Sequence, residues 1–534
     1  MTGTLAVAQL LLRCNRFRLL AWVVPMVLLV AVTVPGYAAT YPLLAERAPL
    51  VHQLRATLAT KVLYGKLPLP GTLGQLAQWE TGTYVVLLVS VMAVLLAIGL
   101  TRGDEDLGLT ELASASGVGR WAQPCAVALV LSGTFAALGG TIAAILAAES
   151  VGHPGDLTVG GAIFFGAVIA VVGIGTAAQT TLLAQVFWDA HSAARAAWTV
   201  VVIGFGARVL ADFTAMGWLR WGTWFGLRDL VRPYTDNRTW PLMVAVGGIL
   251  ALGTLAAFTH AHREFGAGLL RPRVGGTRRL RVRSAAGLAW RLDRAQLVMW
   301  ALPTAAVAAL FGGMSHGLIR LLGEDARAAH LLRTLTTVID PARQYFSFSY
   351  IFIVLLPMIY GAATVLRART DERAGLLDNQ LATGVARWRP LAARINEGAA
   401  GALCLLVLGA AVQALAVRAA MSGAPSNTSA TWAFWGPISQ APGALAVVGL
   451  AGLAVGAPPR LTALVWAAVS WSGFAVLLGA LARVPTSARR IALLGHLPAE
   501  LPSITAAAFL LLVIGAVAAV GGCLRMRTRD VVVG

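Results

Sequence analysis

The charged residues that could act together fall mainly in one pattern that occurs twice. TRGDEDLGLTELASASGVGRW (101–121) and RARTDERAGLLDNQLATGVARW (367–388) align in register at an offset of 267. Arg102, Asp104, Glu105, Gly108, Arg120 and Trp121 fall on Arg369, Asp371, Glu372, Gly375, Arg387 and Trp388, and Glu111 meets Asp378. Each copy opens on acids, passes a glycine and closes on Arg-Trp. Acid at the start and Arg at the end complement a helix dipole, so each copy reads as a helix of two or three turns lying along a surface. A solvated loop with anchoring arginines would account for one copy, but less easily for two with the same pattern. Such helices offer a paired docking surface, not covalent chemistry.

Other ionisable groups are few. Arg208 and Asp212 sit four apart, placed to form an intramembrane ion pair that either is structural or has a gating or substrate role. Glu397 lies beside Arg394, and His260 and His262 mark the end of an apolar run, in an interfacial role. No G-x-x-x-x-G-K-S/T phosphate loop, H-E-x-x-H or G-x-S-x-G is present. The four cysteines, Cys14, Cys125, Cys404 and Cys523, have neither metal-ligand spacing nor a disulfide framework. No catalytic residue, metal site or cofactor is therefore expected in this chain.

The elements that must carry these groups are membrane helices. Hydrophobic residues make up 58% of the 534 and charged residues only 12%, about half the charged fraction of soluble domains. Apolar runs near 20 residues, each long enough to cross about 30 Å of hydrocarbon, are read at about 19–39, 82–101, 123–147, 159–183, 196–214, 241–259, 296–313, 346–366, 395–417, 443–457, 461–482 and 503–524. The tenth and eleventh are either two helices or one re-entrant element. The expectation is an all-α multi-pass protein of about twelve spans in two parallel six-helix repeats: 1–265, a basic linker 266–288, and 289–534. The two copies of the acidic loop support the duplication. So does a second register, offset by 278, that sets Arg13, Arg16, Leu19, Trp22 and Pro25 on Arg291, Arg294, Leu297, Trp300 and Pro303.

The net charge of +19 is spread over short segments between apolar runs, which fits topology against an anionic inner leaflet and argues against nucleic acid. With both termini cytoplasmic, inner segments hold 25 of the 42 basic residues and outer ones 17. Lys61 and Lys66 are the only lysines, a bias that fits a GC-rich bacterial genome and the bacterial cell membrane. Among outer segments, 41–80 carries an amphipathic stretch. Residues 212–240 hold Trp218, Trp221, Trp224 and Trp240, read either as short interfacial helices or as belt anchors.

The duplicated loop resembles the one after the second and eighth spans of ABC-2 type permeases, specifically the tetronasin-type exporters of polyketide antibiotics. RVLADF (208–213), VRPYTDNRTWPL (231–242), GLAVGAPPRLTALVW (452–466) and LLGHLPAELPS (493–503) extend the likeness over most of the chain. The resemblance implies an ABC-2 (type V exporter-like) fold and export of hydrophobic or amphipathic compounds. ATP and Mg would be bound by a separate ABC ATPase, two copies to one permease chain. The duplicated loops would be its coupling helices, Arg13–Arg18 and Arg291–Arg294 elbow helices along the inner leaflet, and the segments before spans six and twelve the outer gate. Tyr84, Met92, Phe205, Tyr350, Phe352, Trp466 and Phe474 would line the substrate path. The second loop departs at Asn379-Gln380, where the first has Leu112-Ala113, so its docking is expected to be weaker. Two other readings compete: a secondary transporter of the major facilitator type, whose loop motif neither copy has, and a non-transporting membrane sensor or assembly protein.

Overall fold

The computed structural model describes residues 3–56, 61, 64–115, 117–213, 216–264, 266–270, 285–324, 340–421, 426–458, 460–477, 485–494 and 505–529. The chain divides into two compact units, Met1–Thr277 and Arg278–Gly534. Their boundary falls in the basic linker, of which residues 271–284 lie outside the described residues.

Unit 1 contains α1 (Thr4–Thr40), α2 (Leu44–Ala56), α3 (Leu73–Ile98), α4 (Leu109–Ala115), α5 (Ala122–Glu149), α6 (Val159–Val186), α7 (Ala190–Phe213), α8 (Leu227–Val231) and α9 (Trp240–His262). Unit 2 contains α10 (Ala285–Glu324), α11 (Pro341–Arg373), α12 (Leu376–Leu381), α13 (Arg389–Ala420), α14 (Ser426–Ser439), α15 (Ala441–Gly456), α16 (Leu461–Leu477), α17 (Thr486–Arg490) and α18 (Ala506–Thr528). Among the described residues, eleven helices are long and apolar enough to cross a membrane, and Leu461–Val476 is a shorter apolar helix. The described residues are helical without strands, and the protein is a helical integral membrane protein.

Each unit is arranged around its second long helix. In unit 1 α3 is buried among α1, α5, α6 and α7; in unit 2 α11 is buried among α10, α13, α15 and α16. In each, the first long helix packs on the third, and the fourth on the sixth. The outer helices show why such a bundle needs lipid. On α1 Leu19, Met26, Val30 and Val34 face the core, while Leu20, Val24, Leu28 and Val32, four residues apart, are exposed. An apolar stripe on both faces suits hydrocarbon, not water.

Several boundaries differ from the sequence expectation. α3 starts at Leu73, not near 82, because Thr72 and Gln75 form a reciprocal capping box that begins the helix inside a turn-rich stretch. The expected elbow helices are absent as separate elements. α1 is one 37-residue helix and α10 one 40-residue helix, each running unbroken through its arginines and on past an internal proline, Pro25 or Pro303. The tenth span is longer than its apolar core, because α14 precedes α15 across a break at Gln440 and together they form one candidate span, Thr428–Gly456. The Trp-rich segment holds short helical turns, Gly217–Gly222, Trp224–Gly226 and α8.

The fourth and sixth helices of unit 2 meet through glycine. A Cβ on Gly449 would lie 2.0 Å from the Gly515 carbonyl oxygen, and one on Gly522 2.3 Å from that of Gly452. Small residues let backbones approach closely where lipid supplies no hydrophobic drive between helices. Gly449→Ala and Gly522→Ala are expected to destabilise by ~1–3 kcal/mol through overpacking, read as a lower thermal unfolding midpoint in detergent. Gly473→Ala is the control, because its nearest neighbour, Leu355, is 3.9 Å away.

Candidate functional site

Beyond the apolar part of α3, the chain continues through a π-helical turn, Gly99–Gly103, and one further turn, Asp104–Asp106. The wider turn shifts the register of the side chains that follow, and Arg102 and Glu105 pack inward. The Glu105 carboxylate accepts from Arg263 Nη1 and Nη2 at 2.8 and 2.6 Å, from the Gly266 N–H at 2.8 Å and from Arg102 Nη1 at 3.0 Å. Arg102 donates onward to the carbonyls of Trp188 and Gly266, each at 3.0 Å, and Arg263 Nε donates to Gln185 Oε1 at 2.6 Å. Arg263 is the first residue past α9, and Gln185 and Trp188 bracket the end of α6. The far end of the loop is fastened to α9 as well. Arg120 donates to the carbonyls of His260 and Ala261 at 3.2 and 2.9 Å, and Trp121 lies on the His260 ring with centroids 5.4 Å apart.

Unit 2 has the same arrangement. Glu372 accepts from Arg529, the first residue past α18. Arg369 donates to the carbonyls of Ala454, at 2.9 Å, and Ala457, and Arg529 also reaches the Val455 carbonyl, all at the end of α15. At the far end of the loop, Arg527 of α18 lies over Trp388, 5.7 Å from the ring centre. Asp371 pairs with Arg394 at 2.8 Å, and Arg394 with Glu397 at 3.1 Å and with Asp293.

The loop residues therefore divide by exposure. Arg102, Arg369 and Glu372 are buried, the Glu105 side chain is 6% exposed, and Asp104 and Asp371 are half-buried. Asp106 caps α7 by accepting the Ala190 N–H at 2.8 Å. Glu111, Arg120, Asp378 and Arg387 are exposed, together with Leu107 at 75%, Leu109, Leu112 at 70%, and Leu376. Gly108 and Gly375 turn the chain with φ of +72° and +68° and open space around them, so backbone conformation and not crowding requires glycine there. Sequence reasoning missed Arg263 and Arg529, which read as two more basic residues past an apolar run.

At the Trp-rich end of unit 1, Arg208 and Asp212 approach to 3.5 Å, but within a larger cluster. Asp229 takes Arg208 at 3.2 Å and Arg228 at 3.1 Å, and Asp212 takes Arg220 at 2.7 Å. Buried Arg228 also donates to the carbonyls of Tyr64, Gln78 and Trp79 and to Thr83 Oγ1 at 2.7 Å, joining α8 to the start of α3. A second group missed by the sequence reading is half-buried Glu80, inside α3, which accepts from the Tyr37 hydroxyl. Within each unit the expected path residues have different surroundings. Tyr84 bonds Tyr64 at 2.5 Å, Met92 is enclosed in the core, and Phe205 meets Phe225 edge-on at 5.6 Å. In unit 2 Tyr350 is enclosed, Phe352 stacks on Phe311 at 4.9 Å, and Trp466 and Phe474 are exposed. Among the described residues no group of three His, Cys, Asp or Glu could hold a metal ion. LLGHLPAELPS lies from 495 onward outside the described residues.

Apolar exteriors and ion pairs concentrated at helix ends define a multi-pass helical membrane protein. The chain is similar to permeases of the efflux type. Residues 282–527, nearly all of unit 2, match the family described as multidrug efflux system permease Rv1217c, C-terminal domain. The chain is 28% identical over 502 residues to the multidrug efflux system permease protein Rv1217c of Mycobacterium tuberculosis (strain ATCC 25618 / H37Rv), covering 93% of this chain and 89% of that one.

The Arg–Asp cluster of unit 1 predicts a pH dependence. Burial pushes the Asp229 carboxyl up, but Arg228, Arg208 and Arg220 outweigh it and hold it below its usual value. A depressed carboxylate contributes stability that is complete above its unfolded pKa of about 3.9 and is lost as pH falls through the lower folded value. The melting temperature should lose this contribution only below about pH 4. Asp229→Asn should lower it at neutral pH and flatten the acid limb, as read by unfolding scans from pH 7 to pH 2.

Proposed function

We propose that the chain is the membrane-spanning subunit of an ATP-driven ABC-2 type exporter. It would move hydrophobic or amphipathic compounds, with polyketide-type antibiotics as the substrate class, out across the bacterial cytoplasmic membrane. A separate ABC ATPase, two copies to one chain, binds ATP and Mg and docks on the two loop helices, which then face the cytoplasm. The observation that carries this reading is the repetition of one arrangement in both units. Each loop is fastened at both ends to its own bundle and presents exposed side chains outward. The full-length similarity to an efflux permease supports it.

In this reading the roles within the loops divide by exposure. Arg102, Glu105, Arg369 and Glu372 hold the loops in place; Asp104 and Asp371 lie beside them. Docking falls to Leu107, Leu109, Glu111 and Leu112 in the first loop and to Leu376 and Asp378 in the second, all exposed. The first face is the more apolar, so it should bind the ATPase more tightly. Of the side chains assigned to the path, Met92 and Tyr350 are enclosed, while Trp466 and Phe474 are exposed and suit contact with apolar ligands.

A proton-coupled secondary transporter is the alternative favoured by one observation, the Glu80 carboxyl within α3. Two experiments separate them. The double variant Leu107→Glu, Leu112→Glu should weaken co-purification of a co-produced ABC ATPase by about tenfold or more, the loss typical of removing central anchors from an interface, with the permease still inserted and folded. Unchanged co-purification would remove the first loop from the docking role. Export by the chain alone that collapses with an uncoupler and with Glu80→Gln would establish the secondary-transport reading instead.

A further inference from the structure

Both ends of each loop are attached to the same place, the last turn of the sixth long helix of that unit. In unit 1 Glu105 meets Arg263 and Arg120 meets the His260 and Ala261 carbonyls. In unit 2 Glu372 meets Arg529 and Trp388 meets Arg527. The middle of each latch, Arg102 or Arg369, donates to carbonyls at the end of the fourth long helix. Three helix ends that are far apart in sequence, separated by 158 residues between Arg263 and Glu105 and 157 between Arg529 and Glu372, thus share one hydrogen-bonded centre in each unit.

We propose that Arg263 and Arg529 are positioning residues of the transport cycle. Each makes a loop helix and the ends of the fourth and sixth helices of its unit move as one body. The proposal rests on the exporter reading for what pushes the loop, and on the geometry alone for what the push reaches. Arg263 is suited to this role by its two-pronged bond to Glu105, at 2.8 and 2.6 Å, with both partners 6% exposed. A bidentate guanidinium–carboxylate pair fixes orientation as well as distance. Lysine would keep the charge but lose the fork, so it should transmit only part of the motion. A buried pair broken on one side leaves an uncompensated charge and a loosened contact, whereas exchanging the two residues restores opposite charges at the same place.

The test uses the full chain co-produced with its ATPase, in four forms: wild type, Arg263→Lys, Arg263→Glu, and Glu105→Arg with Arg263→Glu. Amide hydrogen exchange at residues 185–188 and 259–267 reports the latch, and ATP-dependent movement of ethidium in inverted membrane vesicles reports transport. Arg263→Glu should exchange roughly tenfold faster or more at both segments, as expected when a buried ion pair is opened. It should also lose most ethidium transport while the ATPase still co-purifies and hydrolyses ATP. Arg263→Lys should fall between, and the exchanged pair should recover both readouts; Arg529→Glu should repeat the result in unit 2. The proposal is overturned if Arg263→Glu matches wild type in exchange or transport, or if the exchanged pair is no better than the single reversal. A wild-type chain that neither retains an ATPase nor moves ethidium would defeat the exporter reading, and the exchange results would still decide the latch.

Discussion

The buried carboxylate–guanidinium pair at the loop end of each unit is the interaction on which the rest of the arrangement depends. Taking Glu105 and Arg263 out of water costs several kcal/mol per ion before pairing. The cost is offset because every available oxygen and most N–H groups find a partner: Glu105 accepts four bonds, from Arg263, Arg102 and Gly266. A pair so completely satisfied fixes geometry more than it adds net stability. Its value lies in register: it sets where α6 and α9 end relative to the loop, and hence which side chains the loop leaves exposed.

Packing along the bundles follows a different rule. Within lipid there is little hydrophobic gain from bringing two helices together, so contact depends on close fit and small residues. Gly449, Gly452, Gly515 and Gly522 let α15 and α18 approach at backbone distance. Gly139 and Gly166 do the same for α5 and α6, each carbonyl oxygen lying 2.3 Å from where the other's Cβ would be. The fourth helix of each unit, closely packed in this way, ends at the latch. A rigid fourth helix with a fixed end is a suitable body for a loop to move.

The two units are alike in their latches but not in the ionic groups beside them. In unit 2 Asp293 joins Arg367 at 2.9 Å and also Arg394, which reaches Asp371 and Glu397. The positions in register in unit 1 are Asn15, Leu100, Val127, Asp104 and Val130, three of them apolar and part of the core. The acidic ends are therefore held by different extra pairs, Arg102–Asp106 at 3.5 Å in the first loop and Arg394–Asp371 at 2.8 Å in the second, and the second loop's exposed face is less apolar.

Much of this was legible in the sequence. Hydropathy is a local property, so the run of apolar segments fixed a membrane class, and the twofold occurrence of acid, glycine and Arg-Trp at one spacing marked the loops. Arg208 and Asp212 could be paired because four residues on a helix bring side chains together whatever the fold. The partners of the loop acids could not be read this way. Arg263 is one of nine arginines between 263 and 294, and only the convergence of α3, α6 and α9 selects it. Arg228 likewise looked like a bystander among tryptophans until α8 was laid against the start of α3, and Glu80 looked like a loop residue until the Thr72 cap drew it into a helix. Composition and spacing determined what kind of protein this is and which segments matter. Tertiary structure decided which charges meet, because an ion pair spanning 158 residues depends on where helices end in space, and no local pattern encodes that.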